Sequence, residues 1–429
     1  MNGTTAIDVR AAPRQRSTGL VLALLFIAYT FNYLDRQILG ILAAPIKADL
    51  HLTDTQFGAV GGLAFALLYS VLAIPFALIA DKTSRSAVIA VALAVWSGFT
   101  ALCGFAQGYG QLFLYRLGVG IGEAGGVAPS YALIADYYPP ERRARALSIF
   151  FLGIPVGLAG GMMIGAYLAH AINWRAAFIV MGAAGVILAP ILRFVVRDVP
   201  RRTSVAATAP LASVFPILAR KPAFWLLAFG ASASSLCGYG LALWTPSVLM
   251  RSFRLDLLST ANFLASQMLI GGCAGVFAGG WLADRLGGMD RAWYARLPAI
   301  AWLVTVPMFA GGFLAPNLWI AWLPLLIAAG LNILWLGPVS TAVQHLVPRA
   351  MRATASASFL LINNLIGLGI GPLLMGRLSD ALKASYGVDA LRDAAIACLL
   401  FYVLAAVLVL LAIPSLKAAW VDDPADETA

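Results

Sequence analysis

Gly280-Trp281-Leu282-Ala283-Asp284-Arg285-Leu286-Gly287 closes one long apolar run, and Ala77-Leu78-Ile79-Ala80-Asp81-Lys82-Thr83-Ser84-Arg85 closes another. Each stretch places an acid at the end of an apolar segment, a cation beside it and a tight turn beyond. The two acids are 203 positions apart. A second pair follows in the same order: Pro140-Glu141-Arg142-Arg143-Ala144-Arg145-Ala146 and Pro348-Arg349-Ala350-Met351-Arg352-Ala353-Thr354, with Arg143 and Arg352 separated by 209 positions. Two motifs in one order at near-equal offsets mark an internal repeat.

The runs between these turns fix the class of protein. Of 429 residues, 61% are hydrophobic and 11% charged, and the mean hydropathy is +0.87. Soluble domains carry about 25% charged residues, so a water-soluble multidomain enzyme is excluded. At about 20 apolar residues per crossing, twelve spans can be drawn, over 19–44, 55–80, 86–107, 111–136, 146–169, 174–196, 223–250, 258–283, 297–315, 317–344, 353–377 and 394–414. The expected fold is an all-α membrane protein, with twelve transmembrane helices in two six-helix pseudo-symmetric bundles. The halves are 1–196 and 223–429. The linker, 197–222, holds Pro200, Arg201, Arg202, Thr203 and Ser204. Paired six-helix halves suggest a transporter with its site near the bilayer midplane.

A net charge of +10 invites a nucleic-acid reading, but the 29 Lys and Arg sit in short loops between apolar runs. No basic face with interleaved aromatics results. With the N-terminus inside, 20 of them fall in inside loops, Arg10, Arg14 and Arg16 among them, and 7 in outside loops. The Lys/Arg bias therefore predicts that both termini are cytoplasmic. A cleaved leader is disfavoured because the first apolar run continues into Asp35-Arg36. Cys103, Cys237, Cys273 and Cys398 lie singly within apolar runs and read as small hydrophobes. No metal-ligand cluster, nucleophile–base pair or nucleotide loop is apparent, so neither an enzyme nor a cofactor is expected. His51, His170 and His345 fall at span edges.

An ionisable side chain at the centre of a membrane helix costs at least about 2.5–3.5 kcal/mol and marks a candidate functional position. Four lie deep: Asp35 and Arg36 in span 1, Arg116 and Glu123 in span 4. Spans 7 to 11 have none comparable, which places ion chemistry in the first half. At a helical rise of about 1.5 Å, Arg116 stands about 10 Å nearer the outside than Glu123, on the same face. Asp35 falls at a depth between them. Gly120 and Gly122 leave the backbone bare beside Glu123. Arg36 points about 100° away from Asp35 and is expected to snorkel or pack.

The 280–287 turn and its degraded copy at 77–85 resemble the signature loops of the major facilitator superfamily. Arg116, Gly120 and Gly122 resemble its span-four motif, and Gly153-Ile154-Pro155-Val156-Gly157-Leu158-Ala159-Gly160-Gly161 its glycine-rich span-five motif. Asn32-Tyr33-Leu34-Asp35-Arg36, with Gly120-Ile121-Gly122-Glu123-Ala124 and Ala128-Pro129, is similar to the Spinster-type lipid transporters. Organic-anion symporters of the superfamily share the span-one motif. Ala77 and Ser84 depart from the family's glycines and put the turn geometry in question.

The resemblance implies that spans 1 and 4 line one cavity, where Asp35, Arg116 and Glu123 form an acid–base–acid cluster. Desolvation opposes ionisation of a carboxylate and a neighbouring guanidinium favours it, so a movement that changes either loads or releases a proton. Glu123 is expected as proton carrier, Asp35 as second titrating group, and Arg116 as partner of either or of an anionic head group. A static Asp35–Arg116 pair that only fixes packing is the competing reading. The proton-coupling candidates are therefore Asp35, Glu123 and Arg116. Substrate contacts are expected from Arg116, Asn32, Tyr33, Tyr131, Trp244, Asn332, Trp335 and Asn363, with Tyr239 and Asn364 nearby. Each of these neutral residues also suits a purely helix-packing role. Asp81, Arg85, Asp136, Arg143, Asp284, Arg285 and Arg352 are expected to latch the cytoplasmic gate. The implied function is proton-coupled transport of a lipid-like amphiphile, a lysophospholipid or sphingoid lipid, by a monomer in the plasma membrane. Organic-anion/proton symport and multidrug/proton antiport are the alternatives. Protons, membrane lipids and the amphiphile are the expected partners.

Overall fold

The computed structural model describes residues 18–198, 211–348 and 351–421. Arg10, Arg14, Arg16, Pro200, Arg201, Arg202, Thr203, Ser204 and Arg349 lie outside the described residues. Helix is the sole regular structure among the described residues. Ten helices among the described residues are long and apolar enough to cross a membrane. Arg352–Leu411, 60 residues long, turns at Gly387–Asp389 and supplies two crossings. Another crossing is split into Tyr109–Ala124 and Val127–Tyr137. Twelve spans result. The first six are Thr18–Ile41, Asp54–Lys82, Arg85–Cys103, the split span 4, Arg145–Ala171 and Trp174–Val195. Spans 7 to 10 are Pro222–Ser252, Leu257–Gly287, Trp293–Phe313 and Leu318–Gln344, followed by 352–386 and 390–411.

Polar caps start several of these helices by taking up orphan backbone N–H groups. Thr53 and Gln56 form a capping box ahead of span 2. Ser84, Asn173, Asp256 and Asn317 cap spans 3, 6, 8 and 10. Ser84 thus replaces a glycine with a residue that closes the turn by its side chain, and it also donates to Asp198. Gly280 has open space where a Cβ would lie, so Ala77 at the corresponding place is harmless. The expected linker is not all loop. Leu211–Ala219 is helical because Val214 and Leu218, one turn apart, are both buried.

The packing repeats with a period of six spans. Span 1 packs on 5 and span 7 on 11; span 3 on 6 and span 9 on 12; span 2 on 4 and span 8 on 10. The contacts between halves obey the same rule, with span 2 against 11 and span 8 against 5. Small residues set these distances. A Cβ at Gly157 would stand 2.4 Å from the Thr30 carbonyl, and one at Gly161 2.6 Å from that of Leu34. In the second half a Cβ at Gly275 would stand 2.0 Å from the Gly330 carbonyl. Without a hydrophobic drive between helices in lipid, such close backbone approach is what association rests on.

At the end that the charge bias assigns to the outside, the halves are bolted together. Asp54 is 4% exposed. Its carboxylate accepts from Arg251 Nη1 and Nη2 of span 7 at 2.9 and 2.8 Å, from Ser379 Oγ of span 11 at 2.7 Å, and from Lys47. Asp380 returns the contact by accepting from Thr55 N and Oγ1 at 2.7 and 2.6 Å. The opposite end is held differently: Arg85 pairs with Asp81 and Asp136, and Asp290 with Arg296 and Lys417, each pair within one half. The end that the charge bias assigns to the outside is therefore the sealed one.

Candidate transport site

Span 4 breaks where its acid sits. Glu123 occupies the last turn of Tyr109–Ala124, and Gly125 and Gly126 bond back to Gly122 and Glu123 carbonyls before the helix restarts at Val127. Gly120 and Gly122 let the backbones of Phe65 and Trp96 approach so closely that a Cβ at either would stand 2.4 Å from them. Spans 2 and 3 are thereby drawn against the break, and Glu123 has no solvent exposure.

Four charges converge here. Glu123 Oε2 accepts from Arg36 Nε at 2.8 Å and lies 2.7 Å from Nη2. Asp35 Oδ2 accepts from Thr100 Oγ1 at 3.2 Å. Arg116 lies over the Phe65 ring, 5.4 Å from its centroid. Glu123 and Arg116 both stand within electrostatic reach of Asp35. Six buried polar atoms in this region lack a hydrogen-bond partner: Asn32 Nδ2 and Oδ1, Asp35 Oδ1, Arg116 Nε and Nη1, and Glu123 Oε1. Each such atom costs roughly 1–3 kcal/mol. A group retained purely for packing gains nothing from that arrangement, whereas a site that exchanges protons or ligand needs open valences.

Two expectations are corrected. Arg36 does not snorkel: it is the cation of Glu123, because the turn of about 100° that separates it from Asp35 points it at spans 2 and 4. The static Asp35–Arg116 pair of the competing reading is not formed either. Thr100 of span 3 takes the near side of Asp35, and Arg116 turns to an aromatic face instead. Tyr69, whose ring centroid lies 4.8 Å from the Arg36 guanidinium, and Thr100 belong to the site although the sequence did not single them out. Ordinary helix residues in sequence, they gain significance only from which neighbouring span faces the charges.

The other candidates are dispersed. Asn32 and Tyr33 lie beside the charges, with Tyr33 5.2 Å from the Arg36 guanidinium. Tyr131 packs on Phe150 and Phe151. Trp244 belongs to the outer seal: it is fully buried, donates to the Pro372 carbonyl at 2.9 Å and meets Phe57 edge-on. Asn332 accepts from Tyr402 at 2.6 Å, and Trp335 packs on Trp302. Asn363 accepts from Ser235 at 2.9 Å at the edge of a π-turn, Asn364–Leu368. At the end opposite the seal Asp81, Arg85 and Asp136 are contiguous, and Arg143 caps the Ala135 carbonyl at 2.9 Å. Their second-half counterparts differ. Arg285 lies over Trp281 rather than against Asp284, and Arg352 approaches His345 Nδ1 at 3.4 Å.

Twelve spans with sixfold-offset pairing, a broken span 4 and buried charges gathered at the break define a transporter of the alternating-bundle type. The chain belongs to the Major Facilitator Superfamily, whose pattern it matches over residues 25–372. It is similar to an "MFS-type efflux pump" of Mycolicibacterium smegmatis, with 36% identity over 91% of each chain. Protein spinster homolog 1 of Xenopus tropicalis is 27% identical over 86% of this chain and 74% of that one. Among solved structures it resembles a bacterial homologue of the human lysosomal transporter Spinster, in an inward-facing, unoccupied conformation. The TM-score is 0.87 and the identity 29%, over 96% of this chain and 100% of that one. The protein is a Spinster-like major facilitator transporter.

Proposed function

We propose that this transporter moves a lipid-like amphiphile, a lysophospholipid or sphingoid lipid, by alternating access coupled to protons. In this reading the halves 1–196 and 223–429 rock around the central site as a monomer in the plasma membrane, with both termini cytoplasmic. The observation that supports it most is the buried Glu123–Arg36 pair beside Asp35 and Arg116, with open valences on three of the four. Protonating Glu123 releases Arg36, and rocking that draws the two apart favours the proton. Asp35 is the second titrating group. The apolar spans of the second half suit an acyl chain, and Arg116 an anionic group. Asp81, Arg85, Asp136 and Arg143, with Asp284, Arg285 and Arg352 opposite, latch the cytoplasmic end when it closes.

The test is transport by the full chain in proteoliposomes under an imposed pH gradient, with labelled lysophospholipid, sphingoid lipid, hexuronate and a cationic dye. Proton-driven movement of the lipids is expected, and Glu123→Gln is expected to lower it about tenfold or more. Undiminished proton-driven transport by that variant overturns the role of Glu123. The name of the M. smegmatis relative favours a second reading, multidrug/proton antiport, which dye efflux without lipid transport would select.

A further inference from the structure

The two halves are fastened differently at the end opposite the seal. In the first, Asp136 accepts from Arg85 and so ties the turn between spans 2 and 3 to the end of span 4. Arg143 follows Asp136 by seven positions, and Arg352 follows His345 by seven. Since the repeat matches Arg143 with Arg352, His345 stands where the first half has its acid. That position carries no carboxylate, so the second half cannot repeat the ion pair there.

The chain beyond span 12 fills the place. Trp420 stacks on the His345 ring, with centroids 4.4 Å apart at 7°, and on Tyr294 at the start of span 9, 5.2 Å apart at 27°. Arg291 lies over the same indole, 5.4 Å from its centroid. Val421 N donates to the His345 carbonyl at 2.8 Å. His345 Nδ1 donates to the Val421 carbonyl at 3.1 Å, an acceptor that fixes the proton on Nδ1. Lys417 Nζ lies 2.8 Å from Asp290, in the turn between spans 8 and 9. Tyr294 in turn presses on Gly287, the last residue of span 8, where a Cβ would stand 2.5 Å from its Cζ.

The first half has a corresponding segment in other chemistry. Beyond span 6, Asp198 reaches the turn between spans 2 and 3, where it accepts from Ser86 N at 3.0 Å and from the Ser84 and Ser86 hydroxyls. The neighbouring Arg197 carbonyl accepts from Tyr137 Oη at the end of span 4. Each half thus ends in a short segment that joins its first turn on this side to the end of its fourth span. The segment belongs to the repeat and is no accident of one tail.

We propose that 196–198 and 417–421 are matched straps that hold the unsealed end of each bundle together as one body, and that in the second half the stacked Trp420 stands in for the ion pair lost at His345. Spans 8 and 11 are the two that the second half sets against the first. The strap reaches span 8 through Tyr294 and the start of span 11 through His345, which Arg352 approaches at 3.4 Å. The two spans therefore part from spans 5 and 2, or return to them, in one step. The proposal does not depend on what is carried.

Amide hydrogen exchange of the purified full chain reads the two straps separately. Trp420→Ala is expected to speed exchange about tenfold in the turn between spans 8 and 9 and around His345, and to leave the turn between spans 2 and 3 as in the parent. Asp198→Ala is expected to do the reverse. Trp420→Phe keeps a stacked ring and should exchange like the parent. His345→Leu, which removes the ring on the other side of the indole, should repeat the Trp420→Ala pattern and decides the matter should Trp420→Ala not fold. Spin labels on the ends of spans 8 and 11 beside the strap should give one narrow distance in the parent and a broadened one in Trp420→Ala. Faster exchange confined to 417–421, faster exchange in both halves alike, or an unbroadened distance would each overturn the proposal.

Discussion

One step along a helix turns a side chain by about 100°, and that step gives Asp35 and Arg36 different partners on different spans. Asp35 meets a hydroxyl, Thr100, and Arg36 meets a carboxylate and three rings. Asp35 therefore has a modest tie to the scaffold and one open oxygen. Asp35→Asn is expected to lower pH-gradient-driven flux about tenfold or more, because the second titrating group is gone. Thr100→Val removes a single hydrogen bond to the Asp35 carboxyl and leaves the titrating group in place, so it should lower flux only a few-fold. Flux measured in proteoliposomes distinguishes them: equal losses would mean that Asp35 serves only to hold span 3. That the four charges belong to two spans, 1 and 4, was readable from hydropathy. Their pairing was not, because spacing within one helix gives direction about its own axis and is silent on which neighbour stands there.

Elements were more legible than contacts. Twelve apolar runs of sufficient length give twelve spans, since a lipid-facing helix must be apolar over about 20 residues. The break in span 4 left its trace in Gly125-Gly126, and the glycine-rich run of span 5 marked a packing face without saying what lay on it. That face is selective by position. Gly153, Gly157, Gly161 and Gly165 recur every fourth residue against span 1, whereas a Cβ at Gly160 would meet nothing within 4 Å. Gly157→Ala is thus expected to destabilise the protein by about 1–3 kcal/mol through overpacking, and Gly160→Ala to be neutral. Thermal unfolding of the two variants in detergent checks this. Equal melting temperatures would show that spans 1 and 5 can separate without loss. The Leu211–Ala219 helix was hidden because it lies in a Pro- and Thr-containing stretch that reads as a linker, and a two-turn amphipathic face is too short to stand out there.

At the scale of the whole molecule the repeat was readable and the seal was not. Lys47, Asp54, Arg251, Ser379 and Asp380 look like unrelated loop charges and polar residues until the halves close and bring them to one place. Two cations, Lys47 and Arg251, then share the Asp54 carboxylate. Burial, with Arg251 and Lys383 nearby, pulls the Lys47 ammonium down to about 8 against the opposing effect of Asp380. A solvated lysine titrates near 10.4. Between about 8 and that value the sealed state binds fewer protons than an opened one, so raising the pH through about 8 favours the seal. Distances between spin labels on the outer ends of spans 2 and 11 should show the outward-open population falling over that range. Lys47→Met should flatten the dependence. Asp54→Asn leaves both cations without their carboxylate, at a cost of about 3–5 kcal/mol for breaking a buried pair, and should populate the outward-open state at every pH. If Lys47→Met keeps the parent's pH profile, the proton involved belongs elsewhere. If Asp54→Asn keeps the outer ends together, the glycine contacts at Gly58 and Gly376 hold the seal without the charges.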